Sequence, residues 1–188
     1  ICMGRAGHSV ANEITRGNMS VLSKYPEVKI LLIQNHSDWS SDEAMKTVEN
    51  ALTKYRNKID AILCNNSAMA RGAVMALGEQ GLAGKVFVAG ADADLASCRY
   101  IVKGWQSLDV LKGIRPLAEA AAEAAYKLAR KEPVKYDTTM NNGKIAVKVV
   151  LTPVWAFNRE NIDKVIIDSG FHSREEVYGG EEKEGGEK

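Results

Sequence analysis

Hydrophobic positions along this chain change period repeatedly. Short continuous apolar runs alternate with longer stretches in which apolar residues return every three or four positions. The first pattern suits strands buried on both faces of a parallel sheet, the second suits helices packed over it. The central stretch shows this most clearly. Ile59-Asp-Ala-Ile-Leu-Cys64 is too short for a helix and is ended by polar residues. Ser67 can cap a helix over 68–80 that stops at Gly81, and Lys85-Val-Phe-Val-Ala89 is the next strand. Two strands joined by a helix of this length make a right-handed crossover unit.

The flanks extend the alternation. Ile1 to Gly4 reads as the tail of a strand, and Gly4 to Ser9 as a turn. A helix capped by Ser9 or Asn12 reaches about Lys24, with Ile14, Met19 and Leu22 inward, and Pro26 stops it. Val28 to Ile33 is an apolar strand, Gln34 to Ser41 a polar loop carrying Asp38 and Trp39. The next helix runs from Ser40 or Ser41 to Tyr55, with Ala44, Val48 and Leu52 on one face. Beyond Asp92, Asp94 can cap a helix over 95–103, followed by a short strand over 104–109. An Ala-rich helix then covers 112–131. Val134 to Thr139 is extended, Asn141-Asn-Gly143 signals a turn, and Lys144 to Leu151 is a strand ended by Pro153. A last helix starts at Asn158 and reaches about Asp168, and a tail of Gly, Glu and Lys over 179–188 is expected to be disordered. The order of elements predicts an α/β fold, a doubly wound parallel sheet with flanking helices. The extended passages over 104–112 and 136–151 have the length of crossings between two lobes.

Composition adds little and excludes some partners. The 188 residues are 45% hydrophobic and 26% charged, ordinary for a globular chain, and the net charge of +1 predicts no nucleic-acid partner. Cys2, Cys64 and Cys98 fit neither a zinc site nor a redox pair and read as small buried hydrophobes. No stretch is apolar for long enough to span a membrane and no signal peptide is visible. The start inside a strand, without an initiator Met, leads to the expectation that an N-terminal part precedes Ile1.

In parallel sheets ligands bind beyond the carboxyl ends of the strands. The residues there are Trp39, Asn65, Asn66, Ser67, Asp92 and Asp94. A Ser67, His8 and Asp92 set lacks a nucleophile elbow, and Asn65-Asn66-Ser67 is foremost a helix-capping sequence. Asp92 and Asp94 flank Ala93 but lie in no calcium-loop pattern, and Gly4-Arg-Ala-Gly7 matches no phosphate-binding fingerprint. No metal, cofactor or catalytic residue is therefore expected. A sugar asks for different groups: amides and carboxylates for its hydroxyls, a flat aromatic for its apolar face. Asn66, Asp92 and Trp39 supply these types at one predicted edge, although on pattern alone Trp39 serves equally as a core or lid residue. Lys112 and Gln106 read as a helix start and a strand surface, His8 as a further residue near the edge, and Trp105 and Trp155 as packing residues.

These residues carry a family resemblance. Asn57-Lys-Ile-Asp-Ala61, Gly81-Leu-Ala-Gly-Lys-Val86, Gly90-Ala-Asp-Ala-Asp-Leu-Ala96 and Gly104-Trp-Gln106 through Lys112 resemble the periplasmic sugar-binding proteins of ABC transporters. Within that family the xylose binders are most similar. Asn141-Asn-Gly143, Leu151-Thr-Pro153 and Gly170-Phe-His172 are similar too, so the likeness spans nearly the whole chain. It implies two α/β lobes joined by three crossings, with a monosaccharide held between them and passed to an ABC transporter permease. It also implies a division into a C-terminal-lobe domain (1–109), a hinge return and helix of the other lobe (110–150), a terminal strand and helix (151–178) and the tail (179–188), the N-terminal lobe being absent. It assigns ligand contacts to Trp39, Asn66, Asp92 and Lys112, with His8 and Gln106 at the ligand edge. It implies no catalysis and an extracytoplasmic location. The alternative is a sugar-sensing domain of a membrane sensor or a LacI-type transcriptional regulator. This sequence departs from the family where Val10 stands for a sugar-binding Asn, Ser67 for an Asp and Ala91 for a Gln. Each lost amide alters discrimination between sugars, so the class of ligand carries over further than xylose itself.

Overall fold

Cys2 stands between two neighbours. In the computed structural model, which describes residues 1–179, strand β1 (Cys2–Met3) pairs in parallel with β2 (Gln34–Asn35), Cys2 opposite Gln34. On its other side Cys2 is bridged in parallel to Cys64, just past β3 (Ala61–Leu63). β3 pairs in parallel with β4 (Phe87–Ala89), Ile62 opposite Val88. Ala89 is bridged to Leu108, which leads into β5 (Asp109–Lys112), and β5 pairs with β8 (Val154–Phe157). The spatial order is therefore β2-β1-β3-β4-β5-β8. The chain leaves β1 to one side and returns on the other, which puts a topological switch point between β1 and β3.

The chain divides into two units, Ile1–Leu111 with Ala156 onward, and Lys112–Trp155. In the first, helices α1 (Ser9–Leu22), α2 (Ser41–Lys54), α3 (Ser67–Glu79) and α4 (Leu95–Val102) connect the strands. Their apolar stripes form two cores. Ala44, Val48 and Leu52 of α2 meet Met69, Ala73 and Leu77 of α3 over Ile62 and Val88. Cys98 and Ile101 of α4 pack with Leu111, Phe157, Ile162 and Ile166. Gly72 lets α2 and α3 approach closely, since a Cβ there would overlap the Ser41 carbonyl oxygen. Beyond β8, a π-helical turn (Asp163–Ile167) and the short helix α6 (Arg174–Tyr178) complete the second core. All three cysteines are buried and free.

The second unit holds helix α5 (Ile114–Ala129) and an antiparallel hairpin of β6 (Thr138–Asn141) and β7 (Ala146–Val149). Its turn is the expected Asn-Asn-Gly. The Asn142 side chain accepts the Lys144 and Ile145 N–H groups, and Gly143 takes φ 91°. No residue of α5 is buried.

Several expected elements shift. Val28–Ile33 is not a strand; β2 begins only at Gln34. Among the described residues the segment's ladder with β1 falls at Gln34 and Asn35, next to a bond from the Ile1 amino group to Leu32 O (2.7 Å). Its apolar side chains line a 660 Å³ trough facing Lys58–Leu63, at the amino-terminal ends of the strands. In α1 it is Ala11 and Thr15 that are buried, while Ile14, Met19 and Leu22 are half-buried. The strand expected over 104–109 forms instead at Asp109–Lys112, and α5 starts at Ile114 rather than Lys112. β8 and α6 lie within the stretch 151–178 to which the resemblance assigned a terminal strand and helix, although the hydrophobic pattern alone marked neither. The expected helix over 158–168 opens with turns and is helical over 162–167, chiefly as the π segment. Trp105 and Trp155 are each 41% exposed, so neither is a core residue. Apart from Gly179, which caps α6 with φ 74°, the expected tail lies outside the described residues.

Candidate ligand-binding site

Three of the expected residues stand just past the carboxyl ends of strands β2, β3 and β4 of one unit. Trp39 follows β2, Asn66 follows β3 and Asp92 follows β4. All three are half-buried.

Trp39 ends a 3-10 turn (Ser37–Trp39) in which Asp38 and Trp39 take φ 48° and 57°. A non-glycine residue in this region costs on the order of 1–3 kcal/mol and persists only where its surroundings over-determine it. Glu43 of α2 supplies that restraint: its carboxylate accepts the Ser37 N–H (2.7 Å) and the Ser37 hydroxyl. Those two bonds, the hydroxyl's the larger, hold the Glu43 carboxyl below its ordinary pKa. Ser40 caps α2 by accepting the Glu43 N–H, a Ser-x-x-Glu spacing legible in the sequence. Gly4, at the end of β1, backs the indole. A Cβ on Gly4 would lie 2.5–2.6 Å from Cε2, Cδ2 and Cε3, nearly equidistant from three bonded ring atoms and thus over the ring face. His8, exposed at the start of α1, meets Trp39 at 89° with centroids 5.4 Å apart.

Asn66 is the N-cap of α3, the role expected of Ser67; its Oδ1 accepts the Met69 N–H (2.9 Å). That bond orients the amide so that Nδ2, a donor, is the group left for a ligand. Asn65 is fully buried instead, its amide donating to Ala11 O (3.1 Å) and pairing with Thr15, which fastens α1 beside the switch point.

Asp92 and Ala93 take φ 110° and 59°, consecutive non-glycine residues on the positive side. The turn is tied down from several directions. Asp92 N–H donates to Val110 O (2.8 Å) and Ala93 N–H to Asp109 Oδ1 (3.0 Å), while His172 Nε2 lies 2.9 Å from Ala93 O. The Ser67 N–H donates to Ala91 O (2.5 Å), joining the turn after β3 to the turn after β4. Asn66 and Asp92 therefore flank a direct backbone link. Asp94 occupies the N-cap position of α4, but its side chain makes no capping bond.

The other candidates fall elsewhere. Gln106 is only 2% exposed and not the strand surface expected; its amide nitrogen donates to Leu108 O and to Asp109 Oδ2 (2.9 Å), while its Oε1 is buried with no hydrogen-bond partner among the described residues. Lys112 is the last residue of β5 and opens the second unit. Ser67 is buried, its hydroxyl within 2.9 Å of both Ala91 O and Asp109 Oδ2, which commits it to structure. His36 is buried too, with Nδ1 at Met3 O and Nε2 at Thr47 Oγ1. Val10, standing for an expected Asn, is 44% exposed. Among the described residues, no group of three His, Cys, Asp or Glu side chains could hold a metal ion, and no helix is long and apolar enough to cross a membrane.

Asp109 escaped the reading of the sequence. It is wholly buried and accepts from Ser67, Gln106, Ala93 and Val110. Burial raises its pKa, opposed by the Ala93, Ser67, Gln106 and Val110 donors. No local pattern marks a lone Asp entering a strand as a hub; only the polar run Gln106-Ser-Leu-Asp109 hinted at hydrogen bonding.

This sheet order, with polar groups collected beyond the strand ends at a switch point, is that of a ligand-binding α/β lobe. Residues 1–133 match the family described as periplasmic binding protein domain, and the chain belongs to that family. Among its relatives, the D-xylose-binding periplasmic protein of Escherichia coli (strain K12) is 43% identical over 165 residues, 86% of this chain and 50% of the relative. The protein of the same description from Haemophilus influenzae is 39% identical over 166 residues, 87% of this chain and 50% of the relative. The chain thus spans about half the length of these curated relatives. An ABC transporter solute-binding protein from Clostridium phytofermentans, solved with bound β-D-glucose, shares the fold with a TM-score of 0.80 at 22% identity, over 93% of this chain and 58% of that one. The Caulobacter myo-inositol binding protein superposes with a TM-score of 0.71 at 26% identity, over 87% of this chain and 52% of that one.

Proposed function

We propose that the intact protein is an extracytoplasmic solute-binding protein that clamps a monosaccharide, xylose or a similar sugar, and hands it to an ABC transporter permease. The observation that carries this reading is the rim itself: an indole, an amide and a carboxylate just beyond three strand ends of one sheet edge, in a chain 39–43% identical to proteins described as D-xylose binders. The groups are complementary to a sugar. Asn66, with Oδ1 spent on its helix, offers a donor, Asp92 offers acceptors, and adjacent hydroxyls both give and take hydrogen bonds. Trp39 supplies a flat apolar surface for the ring. Lys112 is a further contact on the strength of its motif, and His8, against the indole, is an edge residue. No bond is made or broken, and binding closes the two lobes about a hinge. The rival reading, a sugar-sensing domain of a membrane sensor or transcriptional regulator, uses the same rim; the description of the relatives as periplasmic binding proteins favours transport.

Isothermal titration of the full-length protein with D-xylose and a panel of other pentoses, hexoses and inositols tests the reading. Saturable heat with at least one monosaccharide is expected, and the affinity should fall measurably in Asp92→Ala. Absence of heat with every sugar would refute it.

A further inference from the structure

The turn that carries Asp92 is held from below by a group that stands behind it. Asp109 lies at the start of β5, fully buried, with Oδ1 accepting the Ala93 N–H (3.0 Å) and the Val110 N–H (2.8 Å) and Oδ2 accepting from Gln106 Nε2 and the Ser67 hydroxyl (2.9 Å each). Ser67 is the first residue of the helix that Asn66 caps, and its hydroxyl also accepts the Asp94 N–H (3.3 Å). One carboxylate thereby touches both turns of the candidate site. Gly90 makes room for it: a Cβ there would lie 2.6 Å from Oδ2. All four of these partners are neutral donors. A buried carboxylate held this way is a costly choice if the only need were to fill space. What it does that an apolar residue of the same size would not is accept the Ala93 N–H, in a turn where two consecutive residues have positive φ.

We propose that Asp109 is a positioning residue for ligand binding: by accepting the Ala93 N–H it holds the Asp92–Ala93 turn in its left-handed conformation, and so sets sugar affinity through Asp92 without touching the sugar. The inference rests on the sugar-binding reading above. It assigns a role to a residue that the motifs of the chain leave unmarked.

The test is a double-mutant cycle in the full-length protein, read by titration with the sugar that the wild type binds, at a temperature well below unfolding. Asp109→Leu keeps similar bulk but removes both acceptor oxygens, including the one that takes the Ala93 N–H, and weakens binding by about tenfold. In the Asp92→Ala background the same substitution has no further effect on affinity. A merely structural Asp109 would lower the urea midpoint and leave the affinity of the folded protein unmoved, and that result overturns the proposal. So does an equal loss in both backgrounds, which would mean that Asp109 acts on binding by a route other than Asp92. If Asp109→Leu does not fold, Asp109→Ala, which likewise removes the acceptor of the Ala93 N–H, is carried through the same cycle with the same expected pattern. No binding by the wild type refutes the sugar reading and this inference together, whereas binding by the wild type with affinity unchanged in Asp109→Leu refutes the positioning role alone.

Discussion

Gly4→Ala is expected to weaken sugar binding although Gly4 has no side chain to lose. Gly4 is not among the glycines with positive φ, so alanine is allowed there by the backbone and the substitution reports on contact alone. Its Cβ would lie 2.5 Å from the nearest indole atom, where ordinary contact begins at 3.4 Å. The ring must retreat by the difference, about 0.9 Å. It cannot do so by a small rotation of a flexible tip, because the atoms met are Cδ2, Cε2 and Cε3 at the ring fusion. Behind the ring the chain is a strained 3-10 turn pinned by Glu43, and His8 sits against the indole at 5.4 Å. Displacement therefore moves the platform itself. Aromatic stacking contributes about 0.5–1.5 kcal/mol beyond area burial, so loss of the platform lowers affinity by about 2-fold to 12-fold. Titration calorimetry of the full-length protein measures it, with near-ultraviolet circular dichroism reporting the tryptophan environment. Gly17→Ala is the control, since a Cβ at Gly17 meets nothing within 4 Å. In a Trp39→Ala background, Gly4→Ala should add nothing. Wild-type affinity in Gly4→Ala would refute the claim that this indole, seated on Gly4, is the ligand platform.

Two further expectations concern stability. Gly72→Ala forces α2 and α3 apart at the Ser41 carbonyl, and the overpacking cost of about 1–3 kcal/mol outweighs the roughly 1 kcal/mol that alanine gains over glycine in a helix, so the urea midpoint should fall; an unchanged or higher midpoint would contradict the close approach of the helices. Asp109 also makes stability depend on pH. Burial raises its folded pKa above the ordinary value of 3.8, so the folded chain takes up this proton more readily than the unfolded one. The stabilisation is full below 3.8 and is lost as pH rises through the raised folded value. Wild type should therefore gain stability relative to Asp109→Asn as the pH falls through that window. The neighbouring thiols stay neutral there: Cys98 is pushed up to about 12, chiefly by burial, and Cys64 well above its ordinary value by its contact with Cys2 and by burial. Urea titrations of both proteins between about pH 7 and pH 4 measure the difference, and a constant difference would show that Asp109 is not perturbed.

What could be read from the chain, and what could not, divides along a physical line. The unit from β3 through α3 to β4 was legible because its signals are local: an apolar run, a cap, a stripe at helical spacing, a glycine stop. The α6 capping box, Ser173 with Glu176, was equally local and went unread. Val28–Ile33 has the composition of a strand, but assignment of a strand needs a paired neighbour, and among the described residues the ladder with β1 falls at Gln34 and Asn35. The displacement of β5 has a different cause. Gln106, Ser107 and Asp109 look like surface because they are polar, yet Gln106 and Asp109 are buried by bonding to one another, and a pattern of polar and apolar letters cannot distinguish a solvated side chain from a paired one. The same limit governs the rim. That Trp39, Asn66 and Asp92 follow three strands is written in the order of elements. That two of their turns are restrained by a side chain from elsewhere is not: Glu43 grips the turn of Trp39 and Asp109 that of Asp92. Those supporting groups lie 4 and 17 residues away from the residues they steady. Short-range patterning therefore finds the groups that would face a ligand sooner than the groups that aim them. A survey of variants confined to the motif residues would miss the second kind, and Asp109 is the position where that omission is most readily exposed.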